Sequence, residues 1–222
     1  MTKTIIAAIC CLLFTAGVYA LNSKEQQISA LMKSHYGQRA MLRYQTWRKL
    51  IHDNRQRVEK IELTVINQFF NQLYFVDDIQ LWGKTDYWAT PLEFLGANAG
   101  DCEDFTIAKY FSLREMGISD RKLRLIYVKS LTLNQFHMVL AYYPTKRSEP
   151  LLLDNIDGEI KPASQRPDLI PIYSFNAEQL WVIKQHGHST LAGKANRLKL
   201  WNDLRHRYSK RRLATPVVNY DE

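Results

Sequence analysis

One thiol and three carboxylates occupy four consecutive positions, Asp101-Cys102-Glu103-Asp104. A cysteine attacks a carbonyl only as the thiolate, and adjacent negative charge disfavours that form. Two unit charges about 5 Å apart at an effective dielectric of ~20 interact by roughly 3 kcal/mol, which is roughly two pKa units. Three acids can therefore cancel what a helix N-terminus gives a thiol. A dication held by Asp101, Glu103 and Asp104 reverses the local sign, and oxygen ligands suit Ca2+ better than a soft transition metal. The plainer reading makes the acids a helix cap and dipole partners, and the thiol a small buried hydrophobe.

A reactive thiol needs a base, and the base needs an orienting group. His137 lies in the alternating stretch "QFHMVLAYY", on the parity of Val139 and Ala141, and Asp154 ends the apolar run "LLLDN". A histidine in a strand is also an ordinary core or edge residue, and an aspartate before Asn155-Ile156-Asp157-Gly158 an ordinary turn former. What links the three is order: a thiol at a helix start, then an imidazole and a carboxylate on two successive strands.

Those elements follow from periodicity. Leu42, Trp47, Leu50 and Ile51, then Ile61, Val65, Ile66, Phe69 and Leu73, predict helices from about Ser23 to Phe75 with a break at Asp53-Asn54. Thr90-Pro91-Leu92-Glu93 is a capping box with proline at the first helical position, and Gly96 and Asn98 end that helix. Asp101 stands as N-cap of a helix that begins at Cys102, turns Ile107, Ala108, Phe111 and Met116 inward, and stops at Gly117. Strands are predicted at Lys122–Lys129, Phe136–Tyr143, Pro150–Asp154, Ile170–Ser174 and Gln179–Lys184. N-terminal helices followed by an antiparallel meander make an α+β domain.

The 222 residues, 46% of them hydrophobic, suit one domain with extensions. Residues 1–20 read as a secretory signal peptide: Lys3, an apolar run too short to span a membrane, and Val18-Tyr19-Ala20 at the cleavage site. An uncleaved anchor is the alternative. Cys10 and Cys11 are passengers of that run, so Cys102 is left as a single cysteine in an oxidising compartment. The domain is expected over 21–184, with a basic C-terminal extension over 185–222. The net charge of +8 is concentrated there, since Lys184–Arg212 holds nine Lys/Arg against one acid, Asp203. The extension is read as solvated, with an amphipathic helix over Leu191–Tyr208 and disorder beyond it. It makes at most weak contact with a membrane surface, and an exported chain meets little nucleic acid. His186-Gly187-His188 reads as a loop rather than a pair of metal ligands.

The run "DYWATPLEFLGANAGDCEDFTIAKYFSLREMGI", with "FHMVLAY" and "LLLDN" downstream, resembles the bacterial transglutaminase-like cysteine proteinases, and among them the LapG-type periplasmic proteases. The spacings of 35 residues from Cys102 to His137 and 17 from His137 to Asp154 fit that family. The resemblance implies a papain-like, transglutaminase-type core with Cys102, His137 and Asp154 as the catalytic residues of a cysteine endopeptidase. It implies calcium dependence, with Asp101, Glu103 and Asp104 as ligands flanking the nucleophile. An indole upstream of the cysteine, Trp82 or Trp88, is the implied oxyanion donor. The implied substrate is a LapA-like surface adhesin cut near its N-terminus, which disperses biofilm, and the implied partner a LapD-like inner-membrane receptor for cyclic di-GMP. Two other readings stay open: a transamidase using the same residues, and a non-catalytic binding module that keeps the fold.

Overall fold

The computed structural model describes residues 21–183 and 189–221. The signal-peptide reading of 1–20 and the His186-Gly187-His188 loop lie outside the described residues.

Three helices open the fold: α1 (Ser23–Tyr36), α2 (Gln38–Asn54) and α3 (Glu59–Phe70). A capping box of Asn22 and Glu25 starts α1, and α2 stops at Asn54, where the sequence places its break. The further break between α1 and α2 comes from Gly37, whose φ of 96° a helix cannot absorb. Then come β1 (Tyr74–Phe75), α4 (Asp78–Leu81), α5 (Pro91–Ala97), β2 (Ala99–Gly100) and α6 (Cys102–Met116). The Thr90–Glu93 capping box forms in both directions, and Asn98 ends α5 in the left-handed conformation. Gly117 ends α6 in the same way.

The rest of the chain builds an antiparallel sheet from β3 (Leu123–Ser130), β4 (Gln135–Tyr142), β5 (Leu151–Leu153), β6 (Lys161–Pro162), β7 (Leu169–Phe175), β8 (Gln179–Ile183) and β9 (Ser189–Lys194). The order is β6-β5-β4-β3-β7-β8-β9, so the chain doubles back after β6 rather than running as one meander. β3 takes the centre because both its faces are apolar. Leu123 and Leu125 join the main core, while Ile126 and Val128 form a second cluster with Val139, Ala141, Leu152 and Leu169. Met138, Leu140 and Tyr142 of β4 face the main core, which α6 shares through Phe105, Ile107 and Leu113.

The basic segment after β8 is docked onto the domain rather than a free extension, contrary to expectation. Its first part pairs with β8 as β9, and α7 (Lys199–Lys210) follows. Trp201 and Leu204 of α7 are fully buried, and the indole meets Tyr110 and Phe175 edge-on at 5.8 and 5.3 Å. The apolar stripe expected over Leu191–Tyr208 is real, but sheet pairing claims its first turn. Beyond α7 the chain stays attached where disorder was expected: Tyr36 Oη donates to Ala214 O at 2.6 Å, and Val217 N–H donates to Leu81 O at 2.7 Å. Arg43 forks onto Asp221 at 2.6 and 2.7 Å. Among the described residues, no helix is long and apolar enough to cross a membrane.

Arg207 of α7 donates to Glu93 and to the hydroxyl of Tyr87, and a third bond reaches Trp88 O. The Glu93 side chain is fully buried. Arg207→Met is therefore expected to strand a buried carboxylate and cost about 3–5 kcal/mol, read as a lowered urea midpoint.

Candidate active site

A two-rung parallel ladder sets the site. Tyr74 N–H donates to Asn98 O at 3.1 Å and Val76 N–H to Gly100 O at 3.0 Å, pairing β1 with β2. The ladder carries Asp78 up beside Asp101. Glycine is required at position 100, because a Cβ there would stand 2.5 Å from Asp104 Oδ2 and 2.8 Å from the Phe94 ring. Asp104 is fully buried. Its carboxylate accepts from Ala89 N–H at 2.7 Å and Asp101 N–H at 3.3 Å, which fixes the start of α6 with Cys102 at its first position. One turn on, Thr106 Oγ1 bridges Cys102 O and Met138 O, both at 2.9 Å, and locks α6 onto β4.

His137 and Asp154 are each 1% exposed and meet at 2.8 Å, Nε2 to Oδ1. Asp154 lies just past the end of β5, so its backbone carbonyl is free of the ladder; Asn71 Nδ2 and the buried Lys109 Nζ donate to it at 2.8 and 3.0 Å. Burial works against ionisation of the Asp154 carboxyl, but His137, the Ile156 N–H and Arg166 prevail and hold it down at about 2. Burial pulls the Lys109 ammonium down to about 7, against the opposing charge of Asp154.

Cys102 is half-buried in the wall of an open cleft of about 730 Å3, with Trp88, Tyr127, Phe136 and Tyr173 around it. Phe136, Tyr127 and Tyr173 stack in series at 5.2 and 5.0 Å. The thiol donates to Glu103 Oε2 at 3.1 Å. Burial, the charges of Glu103 and Asp101 and that hydrogen bond push the thiol well above its ordinary value, while the Met138 backbone N–H at the sulfur pulls the other way. The three residues expected to be catalytic thus come as a bonded His137–Asp154 pair and a thiol that meets β4 one residue further along. The thiol hydrogen bond goes to Glu103 rather than to the imidazole.

The acids expected to hold a metal belong to a larger group. Asp78, Asp101 and Asp104 bring oxygen atoms within 4.8 Å of one another, and so do Asp78, Asp86 and Glu103. One oxygen of Asp78 accepts from Tyr87 N–H; its Oδ1, and Oδ1 of Asp101, are buried with no partner. Burial, then Glu103, Asp86 and Asp77, raises the Asp78 carboxyl to about 7 against the pull of Tyr87 N–H. Burial and mutual repulsion raise Asp101 and Asp104 as well. Orphaned buried carboxylate oxygens crowded in this way are costly alone and are the donor set of a hard cation. The residues present fit calcium.

The family model described as bacterial transglutaminase-like cysteine proteinase matches residues 43–187. The chain belongs to that family. Two structures of Legionella pneumophila LapG resemble this proteinase closely. An EGTA-treated form is 43% identical with a TM-score of 0.74, covering 82% of this chain and 96% of LapG. A calcium-bound form is 44% identical with a TM-score of 0.72, covering 83% of this chain and 98% of LapG. Comparison with curated proteins gives no match. The α+β, transglutaminase-like fold expected of the proteinase is the fold observed.

Three features of the site escaped the sequence. Asp78 and Asp86 carry no signal beyond the acids in an aromatic-rich connection, and only the β1–β2 ladder reveals Asp78 as a neighbour of the nucleophile. Arg166 sits in the loop before β7 and reaches Asp154 from there. Of the two tryptophans considered for the oxyanion, Trp88 lines the cleft of the proteinase. Trp82 is buried, with its indole N–H unpartnered.

Proposed function

We propose that the proteinase is a periplasmic, calcium-dependent cysteine endopeptidase in which Cys102 is the nucleophile, His137 the general base and Asp154 the residue that orients it. The observation carrying this reading is the buried imidazole–carboxylate pair, placed on the strand to which Thr106 locks the start of α6 and so Cys102. Asp154, held ionised, keeps the proton on Nε2 and leaves Nδ1 to take the thiol proton. The thiolate adds to a peptide carbonyl, and the backbone N–H groups at the start of α6 receive the oxyanion. The imidazolium then protonates the leaving amine, and water hydrolyses the thioester.

When bound by the acidic cluster, a calcium ion would supply positive charge beside the thiol, and Glu103, which accepts a hydrogen bond from that thiol, would be among the residues that hold it. Asp78, Asp101, Glu103 and Asp104, with Asp86 adjoining, are the residues to hold it. The calcium-bound and EGTA-treated states of LapG support calcium as the ion. A pH signature follows from Asp78. Between about pH 4 and pH 7 the unfolded chain ionises this group while the cation-free fold keeps it protonated, so stability falls by up to roughly 4 kcal/mol as pH rises. Melting temperatures in chelator are expected to drop across that range, and those in calcium to hold.

The open cleft with its stacked aromatic wall suits an extended polypeptide. By resemblance to LapG-type proteases, the substrate is a large surface adhesin cut near its N-terminus, with biofilm dispersal as the outcome. A LapD-like cyclic di-GMP receptor of the inner membrane would sequester the enzyme. Incubating wild-type and Cys102→Ala protein with an adhesin N-terminal fragment, in calcium and in EGTA, tests the reading. Fragments should appear with wild type in calcium alone; cleavage by Cys102→Ala would refute it.

A further inference from the structure

Asp154 has two carboxylate oxygens in a side chain with no exposure at all. Oδ1 accepts from His137 Nε2 at 2.8 Å and from Ile156 N–H at 3.1 Å. Oδ2 accepts from Arg166 Nη1 at 2.8 Å. Arg166, itself only 8% exposed, is gripped in turn by Asp168: Nε meets Oδ1 at 3.0 Å and Nη2 meets Oδ2 at 2.9 Å. The grip is tied to the sheet, since Leu131 N–H at the end of β3 donates to Asp168 O at 2.8 Å. The four side chains form one line: Asp168, Arg166, Asp154, His137.

We propose that Arg166, clamped by Asp168, is a positioning residue that fixes the Asp154 carboxylate and through it the His137 ring; the proposal rests on reading His137 as the base. A carboxylate bonded through one oxygen can rotate about its last torsion. Bonded through both, with a planar guanidinium on the second, it has one orientation. Charge gives a second reason. With His137 neutral, Asp154, Arg166 and Asp168 sum to one negative charge, and the imidazolium formed during the reaction brings the line to neutrality. Without Arg166, the fully buried Asp154 carboxylate would lose the cation on its second oxygen, and Oδ2 would have no partner among the described residues. The Lys109 ammonium bonds the Asp154 backbone carbonyl, so it anchors the chain at this point and leaves the carboxylate plane to Arg166.

Alkylation of Cys102 by iodoacetamide at neutral pH, in calcium, reads thiolate supply without any peptide substrate. Arg166→Gln is expected to slow it about tenfold or more with an unchanged far-ultraviolet circular dichroism spectrum. Arg166→Lys, which keeps the charge on Oδ2, is expected to recover most of the rate. Asp168→Asn, which leaves Arg166 in place but loosens its grip, is expected to fall between. A folded Arg166→Gln protein alkylating at the wild-type rate overturns the proposal, and if that variant does not fold, a wild-type rate in Asp168→Asn does so. His137→Gln separates the two readings: a wild-type rate in that variant removes His137 as base, and the proposal with it. A slowed His137→Gln beside an unaffected Arg166→Gln removes only the role of Arg166.

Discussion

Asp78→Asn is expected to lose most peptide cleavage at calcium concentrations that only just sustain the wild-type enzyme, in the direction that EGTA should take the wild type. The residue lies 24 positions before the nucleophile and touches no reacting group, so the loss must pass through the cation. Its Oδ1 is one of two buried, partnerless carboxylate oxygens beside Cys102. Removing a charged ligand from such a cluster is expected to weaken calcium binding about tenfold or more, so excess calcium should restore part of the rate. Calorimetric titration of the variant with calcium, alongside cleavage rates, checks both halves. Wild-type activity of Asp78→Asn at limiting calcium would remove this residue from the site. Because the amide cannot carry the charge that the cation-free fold keeps protonated at neutral pH, the same substitution should stabilise the protein in chelator. A residue that merely packs would not be expected to shift stability and activity in opposite directions.

The second large effect belongs to His137. His137→Gln should leave the cleft intact and reduce the turnover rate by about four orders of magnitude, since loss of the base removes both deprotonation of the thiol and protonation of the leaving amine. Asp154→Asn should fall nearly as far, for a different reason: an amide facing Nε2 no longer favours the tautomer that leaves Nδ1 free. Single-turnover cleavage of the adhesin fragment measures both. Equal KM with a collapsed turnover number identifies a loss in the chemical step, whereas a raised KM alone would point to substrate binding.

These expectations draw unequally on the sequence. The Thr90–Glu93 box, the start of α6 at Cys102 and its end at Gly117 were legible because each is decided by residues within a turn of one another. The strand carrying His137 and the strand that ends just before Asp154 were legible from period-two alternation and a short apolar run. Asp78, Asp86 and Arg166 were not, because their roles depend on contacts across the fold: a two-residue ladder for Asp78, and the loop between β6 and β7 for Arg166. The basic segment misled for a related reason. Its charges are conspicuous, but Trp201 and Leu204, which decide where α7 packs, are two apolar residues in a polar stretch. Charge density describes the exposed side of a helix and says nothing of what its other side covers.

The acids around Cys102 pose the sharpest problem, since without a counter-ion they hold its proton in place. Titrating the thiolate of Cys102 by its ultraviolet absorbance, in calcium and then in EGTA, addresses this directly. The expected result is a titration midpoint clearly lower in calcium than in EGTA, where the uncompensated acids hold the proton on the sulfur. Superimposable titrations in the two conditions would contradict the account, because the cation would then have no part in making the sulfur reactive.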